Sequence, residues 1–256
     1  MIAETMVATL VLQLAFAIGL IVLISRARSG LKIPAVRKVA GLEALDEAIG
    51  RATELGRPVH YSPGIGDFRN AQTLASFAIL GYVARMCAKY DTRIIATNRN
   101  PVVYSVVEEI VNQAYVAEGR ADSFNPDDVR FMSNDQFAYA SGVLGIMARE
   151  EVATNVMMGA FWAESLIFAE VGSISGAIQI AGTANTHQIP FFVAACDYAL
   201  IGEELYAASA YLSKDPVLIG NLIGQDMGKI FAFFIIVIGT ILSTGGTTWL
   251  NDILSK

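Results

Sequence analysis

A glycine-rich segment, residues 64–69, has the composition of a loop that holds the phosphates of a dinucleotide. It reads Gly-Ile-Gly-Asp-Phe-Arg and lies between an apolar segment typical of a strand and a long apolar helix. Glycines at such a junction let backbone N–H groups approach a pyrophosphate at the start of a helix. Against this, Arg69 replaces the third glycine of the dinucleotide fingerprint, and Asp67 places negative charge beside the phosphate. Two interpretations remain open, a nucleotide loop and a tight structural turn.

Polar and small residues also follow other predicted strands, at the ends where parallel sheets bind their ligands. A dinucleotide-binding domain often has an acidic residue after its second strand, but here Asn98 and Arg99 stand there, a pair suited to a 2′-phosphate. We therefore predict that a nucleotide or small ligand, of unknown identity, would contact the strand-end residues Ser62, Gly64, Gly66, Asn98, Arg99, Gly182 and Thr183.

Four carboxylates form the second group of candidates: Glu164, Asp197, Glu203 and Glu204. Paired carboxylates are suited to acid/base catalysis. Adjacent residues on a helix diverge by about 100°, so neighbouring acids do not by themselves form one site. The simpler interpretation gives the glutamates the role of partners for the helix dipole and makes Asp197 a helix N-cap.

Other constellations that carry chemistry are missing from the sequence. It has two cysteines, no CxxC motif and two histidines, His60 and His187, which we interpret as structural residues; we expect no metal site. There is no P-loop and no Ser–His–Asp order, so an enzymatic role is uncertain and less favoured than the role of a scaffold or docking protein. The net charge of −6 argues against a nucleic-acid partner.

Strand-like and helix-like segments alternate between residues 41 and 215, which predicts an α/β domain. This alternation predicts a Rossmann-like, three-layer domain with a mostly parallel sheet and helices on both of its faces. One position is ambiguous, because residues 166–171 are an alternative to 153–158 as the fourth strand. We predict helices at 42–55, 68–89, 100–118, 135–149, 161–171 and 198–212, and strands at 58–62, 92–97, 129–133, 153–158, 177–182 and 190–195.

Two apolar segments, residues 6–24 and 230–250, are long enough to cross a bilayer as helices. The first lacks the basic start of a signal peptide, the competing interpretation. The second has no polar stripe, which disfavours a buried core helix. A charge at mid-membrane costs about 2.5–3.5 kcal/mol on insertion scales, so we predict that the second span starts after Lys229. Trp249 is then predicted to lie at the far interface, where tryptophan is favoured.

The predicted organisation is therefore an N-terminal span (1–24), a basic linker (25–40), the α/β domain (41–215), a connector (216–229) and a C-terminal span (230–250). Because basic residues prefer the cytoplasmic side, the domain is predicted to be cytoplasmic and both termini external. The same residues also suit contact with anionic lipid. They are Arg26, Arg28, Lys32, Arg37 and Lys38 after the first span, and Lys214 and Lys229 before the second.

Several segments resemble a family of two-span membrane proteins from bacteria and archaea with a Rossmann-like cytoplasmic domain, a domain of unknown function. The resemblance implies this architecture, and because the family has no established activity, it implies no catalytic residue. It covers most of residues 40–229. The residues that carry it read His-Tyr-Ser-Pro-Gly from His60, Gly-Ala-Ile-Gln-Ile-Ala-Gly-Thr from Gly176, Ile-Pro-Phe-Phe from Ile189, Cys-Asp-Tyr from Cys196 and Ile-Gly-Glu-Glu-Leu-Tyr-Ala-Ala from Ile201.

Two functions follow from these observations. The favoured one is a membrane-anchored scaffold whose cytoplasmic domain forms a homo-oligomer or docks a protein partner. The alternative is a membrane-anchored enzyme that binds a nucleotide or small ligand at the strand-end loops. The apolar helical segments 73–87 and 161–171 support the first, because they offer more apolar surface than one small sheet readily covers, although burial in the domain core would also explain them.

Overall fold

The computed structural model describes residues 7–29 and 40–246. The chain divides into two compact units. One consists of Met1–Val36 together with Lys214–Lys256, and the other is the continuous segment Arg37–Ser213. Of the residues used in the prediction of membrane topology, Met6, Lys32, Arg37, Lys38 and Trp249 lie outside the described part of the chain.

The described part of the second unit contains one six-stranded sheet, and every strand pair in it is parallel. The strand order is β3-β2-β1-β4-β5-β6, the order of a Rossmann fold. The order reverses between β1 and β4, which places the topological switch point there. The strands are β1 (Val59–Gly64), β2 (Ile94–Asn98), β3 (Val129–Phe131), β4 (Thr154–Ala160), β5 (Ile178–Thr183) and β6 (Tyr198–Ile201).

Seven described α-helices accompany this sheet, and two further α-helices belong to the other unit. Side-chain caps fix several helix starts: Asn100 accepts N–H bonds at the start of α4, and Asp135 does so for α5. The helices are α1 (Val7–Arg28), α2 (Ala40–Leu55), α3 (Ala71–Tyr90), α4 (Pro101–Ala117), α5 (Gln136–Arg149), α6 (Glu164–Ser175), α7 (Ile189–Ala195), α8 (Glu203–Ser213) and α9 (Pro216–Thr244).

Two apolar cores flank the sheet and make the domain three-layered. Tyr61 belongs to the core formed with α2, α3, α4 and α8, and Phe168 belongs to the core formed with α5, α6 and α7. Because side chains alternate along a strand, Tyr61 points to one core while its neighbours His60 and Ser62 point to the other. The predicted Rossmann-like, three-layer parallel architecture is thus confirmed.

The last predicted strand is wrong. Residues 190–195 form helix α7, and the sixth strand is Tyr198–Ile201, where a helix start was predicted. A short apolar run does not distinguish a strand from a buried helical turn, and Pro190 lies in the first turn of a helix, where its missing N–H costs nothing. The prediction that Asp197 caps a helix is wrong for the same reason, since Asp197 precedes β6.

The ambiguity at the fourth strand is resolved in favour of the preferred assignment. Residues 154–160 form β4, buried along its full length between β1 and β5. The alternative, a strand at 166–171, is wrong because this segment lies inside helix α6. Gly176 ends α6 with φ of +67°, a left-handed conformation that glycine adopts without strain.

In the other unit, α1 and α9 pack against each other. Residues 216–229, predicted as a connector, are the first half of α9, and Asp215 caps the helix. Among the described helices, α9 alone is long and apolar enough to cross a membrane, and its apolar window is not buried. Helix α1 contributes the shorter apolar segment Gln13–Arg26.

Because the α/β unit has its own two cores, we expect residues 40–213, expressed without α1 and α9, to fold. Circular dichroism should show mixed helix and strand signals, and the thermal transition should be cooperative. A fragment that remains disordered in buffer but folds in the full-length chain would show that the domain needs the terminal helices or a neighbouring copy.

Candidate functional site

The carboxyl edge of the sheet gathers most of the predicted site residues. Ser62 and Gly64 lie on β1, Asn98 ends β2 and Thr183 ends β5. The nearby loops carry Gly66 and Arg99. Gly182 lies within β5, and a Cβ at this position would lie 2.6 Å from Met158 Sδ, on the α3 side of the sheet. The carboxyl-edge placement is the one at which Rossmann folds bind ligands.

The switch point itself is closed by backbone contacts. The N–H of Ile65 donates to the carbonyl of Ala160 at 2.8 Å, and the pairing of β1 with β4 continues to Gly64 through a bulge. Gly64 has φ of +81° and Gly159 has φ of +137°, and a Cβ on either residue would overlap a carbonyl oxygen of the opposite strand. Here the glycines serve close strand packing.

In the loop after β1, polar side chains form hydrogen bonds with backbone groups of the same segment. The side chain of Asn70 caps α3 by accepting from the N–H of Gln72 at 2.9 Å, and the Asp67 carboxylate accepts from the N–H of Arg69 at 2.9 Å. Arg99 donates to the carbonyl oxygens of Asn134 and Ile65, at 2.8 Å and 3.4 Å. These contacts are those of a tight structural turn, and binding of a nucleotide there stays a prediction.

Gly66 is packed under the start of α3. A Cβ at this position would overlap the hydroxyl oxygen of Thr73 and lie 3.3 Å from the Cβ of Ala160. Thr73 is fully buried, and among the described residues its hydroxyl has no hydrogen-bond partner. The side-chain oxygen of Asn98 is likewise buried without a partner among the described residues, while its amide nitrogen lies 3.5 Å from the Arg130 carbonyl.

A network of amide side chains ties the start of α3 to the ends of β4 and β5. Gln72 accepts from the Thr183 hydroxyl at 3.1 Å and from the N–H of Ala184 at 2.7 Å, and it donates to Asn185 at 2.8 Å. Asn185 in turn donates to the carbonyl of Phe161 at 2.8 Å. Gln72 and Asn185 were not predicted as site residues from the sequence. The available signal was an amide at a helical position that the apolar pattern places inside.

A cavity of about 230 Å³ lies beside this network, between the loops that follow β4 and β5. Trp162 and His187 are exposed at its wall, which also includes the half-buried Asn185 and the buried Gln188. Its volume is below the roughly 300–1,000 Å³ of pockets that hold drug-sized ligands. The cavity therefore suits a small polar group more than a dinucleotide.

Glu164, one of the predicted acidic candidates, is buried at the start of α6. Its carboxylate accepts from the N–H of Trp162 at 2.9 Å and from the side-chain amide of Gln136. The adjacent Ser165 donates to Gln188 at 2.7 Å. These contacts hold the loop after β4 in place, the positional role expected of an acid at a helix start.

The remaining acidic candidates form their contacts at other places than Glu164 does. The Asp197 carboxylate accepts from the N–H of Gln179 at 2.8 Å at the amino end of β6, the opposite edge of the sheet. Glu203 and Glu204 begin α8, and Glu204 accepts from the N–H of Ile201 at 3.0 Å. The structure therefore does not bring the acidic candidates together as a catalytic pair.

A row of polar side chains crosses the middle of the sheet on the α5–α6 side. The imidazole of His60 lies 2.8 Å from Asn155 Oδ1 and 2.8 Å from the Thr97 hydroxyl, and Asn155 donates to Gln179 at 3.3 Å. Complete burial lowers the pKa of His60 to about 4. A histidine that is neutral, satisfied and inaccessible is structural, in agreement with the sequence interpretation.

No group of three or more His, Cys, Asp or Glu residues that is able to hold a metal ion exists among the described residues. Of the two cysteines, Cys87 is buried, and burial raises the pKa of Cys196 to about 12. A thiol with a raised pKa is a poor nucleophile at neutral pH.

One edge of the sheet is apolar and exposed. In the described part of the chain, β6 pairs only with β5, so its other side is open. Four large apolar side chains on α7 and β6 are between 39% and 54% exposed: Phe191, Val193, Tyr198 and Ile201. We call them the apolar edge. This surface was not predicted from the sequence, because residues 190–195 were assigned to a strand and residues 198–212 to a helix.

The opposite edge of the sheet, β3, is charged. Arg130 lies 3.1 Å from Glu150, and Arg93 forms ion pairs with both Asp128 and Glu150. The side-chain hydrogen bonds from Arg93 lower the pKa of Glu150. Short strands and charged side chains are the usual protection of a sheet edge, and β3 has both, although its Phe131 is also 42% exposed.

The family model for a domain of unknown function, DUF6754, matches residues 1–254, so the chain belongs to this family. This confirms the resemblance to a family of unknown function, while the two spans and the taxonomic range attached to it stay predictions. No curated protein matches the chain, and no solved structure does.

Proposed function

We propose that this member of the DUF6754 family is a membrane-anchored scaffold whose cytoplasmic α/β domain assembles with copies of itself. The observation that carries the proposal is the apolar edge formed by α7 and β6. An edge strand presents unpaired backbone N–H and C=O groups, and soluble domains normally protect it with charge, proline or a covering element. The β6 edge instead carries exposed aromatic and aliphatic side chains.

A second copy of the same edge is a suitable partner for it. Two β6 strands that meet antiparallel about a two-fold axis would satisfy each other's backbone groups and cover each other's apolar side chains. Isologous contacts of this kind are the commonest in homo-oligomers. Tyr198 and Ile201 lie at the two ends of β6 and, being three residues apart, on opposite faces of the sheet, so an antiparallel contact would cover apolar side chains on both faces.

Anchoring of the chain in a membrane is the second part of the proposal. Helix α9 is exposed along its apolar window, α1 is apolar from Val7 to Ile24, and α1 ends in Arg26 and Arg28. Basic residues at this end favour a cytoplasmic domain. Copies held in one membrane plane experience a raised effective concentration, which strengthens weak contacts between their domains.

A scaffold is favoured over ligand binding because of the geometry of the carboxyl edge. The switch point is closed by strand pairing, the loop after β1 is held by its own hydrogen bonds, and the acidic candidates are apart. The apolar edge, by contrast, has no use within one copy.

The test is the mass of the detergent-solubilised chain, measured by mass photometry. The unmodified chain should run as an oligomer, and the double variant Tyr198→Asp/Ile201→Asp should lose at least about tenfold in association, because a carboxylate in an apolar contact is left without a partner. Val116→Asp is the control, since Val116 is also an exposed apolar residue but lies on α4.

An unmodified chain with the mass of one copy plus detergent, unchanged by gentle cross-linking in the membrane, would refute the proposal. Equal loss of association in the edge variant and in Val116→Asp would refute the assignment of the contact to the apolar edge. Far-UV circular dichroism of each variant should match that of the unmodified chain, so that misfolding is not mistaken for dissociation.

A further inference from the structure

We infer that the cavity between the loops after β4 and β5 binds a flat, uncharged nitrogen heterocycle of the size of a nucleobase. This goes beyond the proposed function and does not depend on it, because a domain that assembles through its apolar edge still has its carboxyl edge available to a small molecule. The site is formed by Trp162, Thr186, His187 and Gln188, none of which is among the strand-end residues predicted from the sequence.

An exposed tryptophan forms one side of the cavity. Trp162 lines the cavity from the loop after β4 and is 56% exposed. Its backbone is held on both sides, because its N–H donates to the Glu164 carboxylate at 2.9 Å and its carbonyl accepts from the N–H of Ser165 at 3.2 Å. A large aromatic side chain that is exposed on a fixed backbone is suited to stacking on a flat ring.

The loop after β5 forms the other side of the cavity and carries the exposed residue His187. Asn185 fixes this loop, since it donates to the carbonyl of Phe161 at 2.8 Å and accepts from Gln72 at 2.8 Å. Trp162 and His187 thus line one cavity from two different loops, and a flat ring can lie between two aromatic groups. Walls that are fixed before binding lose little conformational entropy when the ligand enters.

A buried amide supplies the polar group that would orient the ring. Gln188 lines the cavity and is only 8% exposed. Its one side-chain hydrogen bond among the described residues is with the Ser165 hydroxyl, at 2.7 Å. An amide has both a carbonyl acceptor and an NH₂ donor, so one of the two is left for a ligand. Because a buried polar group without a partner costs free energy, a ligand that bonds to this amide is favoured over one that does not.

The charge of the lining selects the class of ligand. None of the described residues that line the cavity is Asp, Glu, Lys or Arg. Phosphate and carboxylate ligands are typically bound by Arg or Lys side chains, so this cavity does not suit an anion. Nucleobases, by contrast, are bound by stacking on aromatic side chains and by hydrogen bonds from amide groups to their edges. The cavity offers both kinds of contact.

The volume of the cavity limits the ligand to one ring system. About 230 Å³ is below the roughly 300–1,000 Å³ of pockets that bury drug-sized ligands. A single base is within this limit. Because Thr186 and His187 are exposed, the sugar of a nucleoside can extend from the cavity into solvent. A dinucleotide, with two bases and a pyrophosphate, is not within the limit.

Quenching of indole fluorescence tests the site. The chain has two tryptophans, so Trp249→Phe leaves Trp162 as the only emitting indole in the detergent-solubilised, full-length chain. Adenosine, inosine, cytidine and uridine are the probes, and methyl glucoside is the non-aromatic control. We expect at least one nucleoside to quench Trp162 saturably, with half-saturation at or below about 1 mM, and methyl glucoside to have no effect.

The inference requires the ring to contact the indole of Trp162. Absence of saturable quenching by all four nucleosides, at concentrations several times higher than this, would therefore overturn it. Saturable quenching by methyl glucoside alone would overturn the assignment to a heterocycle and indicate a sugar site instead.

Substitutions on the same Trp249→Phe background locate the ligand. His187→Ala and Gln188→Met should each raise the half-saturating nucleoside concentration at least about fivefold, because the first removes a stacking face and the second removes the polar partner. Phe137→Ala is the control, since Phe137 is a 64% exposed aromatic residue at the start of α5 that does not line the cavity, and it should leave the concentration unchanged.

His187 is exposed, so His187→Ala should fold as the parent does. If Gln188→Met melts at a lower temperature than the parent, His187→Ala alone decides the test. An unchanged half-saturating concentration in His187→Ala, or an equal rise in Phe137→Ala, would place the ligand outside the cavity and overturn the inference.

Comparison with the mass measurement separates this inference from the proposed function. Association of the chain without quenching by any nucleoside would refute the ligand site and leave the scaffold intact. Quenching by a nucleoside in a chain that has the mass of one copy would support the ligand site and refute the scaffold.

Discussion

Replacement of Gly159 by alanine is expected to lower the free energy of unfolding of the α/β domain by about 3–5 kcal/mol. Gly159 has φ of +137°, a conformation that residues with a Cβ rarely adopt, and a Cβ there would overlap the carbonyl oxygen of Pro63 on β1. Relief of the overlap requires β1 and β4 to separate at the centre of the sheet. Since domains are stable by only about 5–15 kcal/mol, a large fraction of the variant should be unfolded at 37 °C.

Denaturation of the 40–213 fragment in urea, followed by circular dichroism, measures this loss. Gly119→Ala is the matched control, because Gly119 has φ of +72° but open space around its Cα. The control carries the cost of the left-handed backbone alone, about 1–2 kcal/mol. If both variants lost the same free energy, the close packing of β1 on β4 would not be what the glycine serves.

The architecture of the domain was predictable because its signals are local. The strands and helices from residue 42 to residue 182 follow hydrophobic periodicity, turn residues and caps such as Asn100 and Asp135. The sixth strand was not, because β6 is an apolar run of only four residues, and so short a run does not distinguish a strand from a helical turn. Its pairing with β5 is a long-range contact that no local pattern encodes.

The candidate site was predictable in position but not in composition. The carboxyl ends of the strands follow from the fold, and Ser62, Asn98 and Thr183 lie there. The residues that link the loops, Gln72 and Asn185, are amides whose partners are backbone groups far away in sequence. The glycines of the first loop matched a phosphate-binding pattern, although what requires Gly64 is the approach of the Ala160 carbonyl.

Hydropathy predicted where the second span begins, but it did not show where the helix that carries it begins. It treats each apolar segment alone, and the charges at Asp226 and Lys229 then argue for a start at residue 230. Helix α9 begins at Pro216, and its packing against α1 is decided by glycines that contribute little to hydropathy. The local signal of this start is Asp215, which caps α9, followed by Pro216 in the first turn of the helix.

Acidification below pH 6.5 is expected to destabilise the domain through His60 alone by about 3 kcal/mol, most of it by pH 4. Asn155 Oδ1 is an acceptor, so the Nδ1 of His60 carries the proton and Nε2 accepts from the Thr97 hydroxyl. The neutral ring is therefore satisfied, while a charged ring would be fully buried without a carboxylate partner. Burial accordingly lowers the pKa of His60 to about 4 in the folded state.

The sign follows from proton uptake. In the unfolded chain His60 has an ordinary pKa of about 6.5 and binds a proton below that pH. In the folded domain the imidazole stays neutral down to about pH 4. Protons thus favour the unfolded state across this window, and stability falls as the pH falls, with about 2 kcal/mol lost by pH 5.

Urea denaturation of the 40–213 fragment at pH 7.5, 6.5, 5.5 and 5.0 measures the slope of stability against pH. His60→Gln is the control: it retains an amide able to bond Asn155 but does not titrate, so its stability should change by less than about 0.5 kcal/mol from pH 7.5 to 5.5, where most carboxylates remain ionised. Parallel stability profiles for the two proteins would show that the buried imidazole is protonated in the folded domain, and that its contacts with Asn155 and Thr97 rearrange to accept the charge.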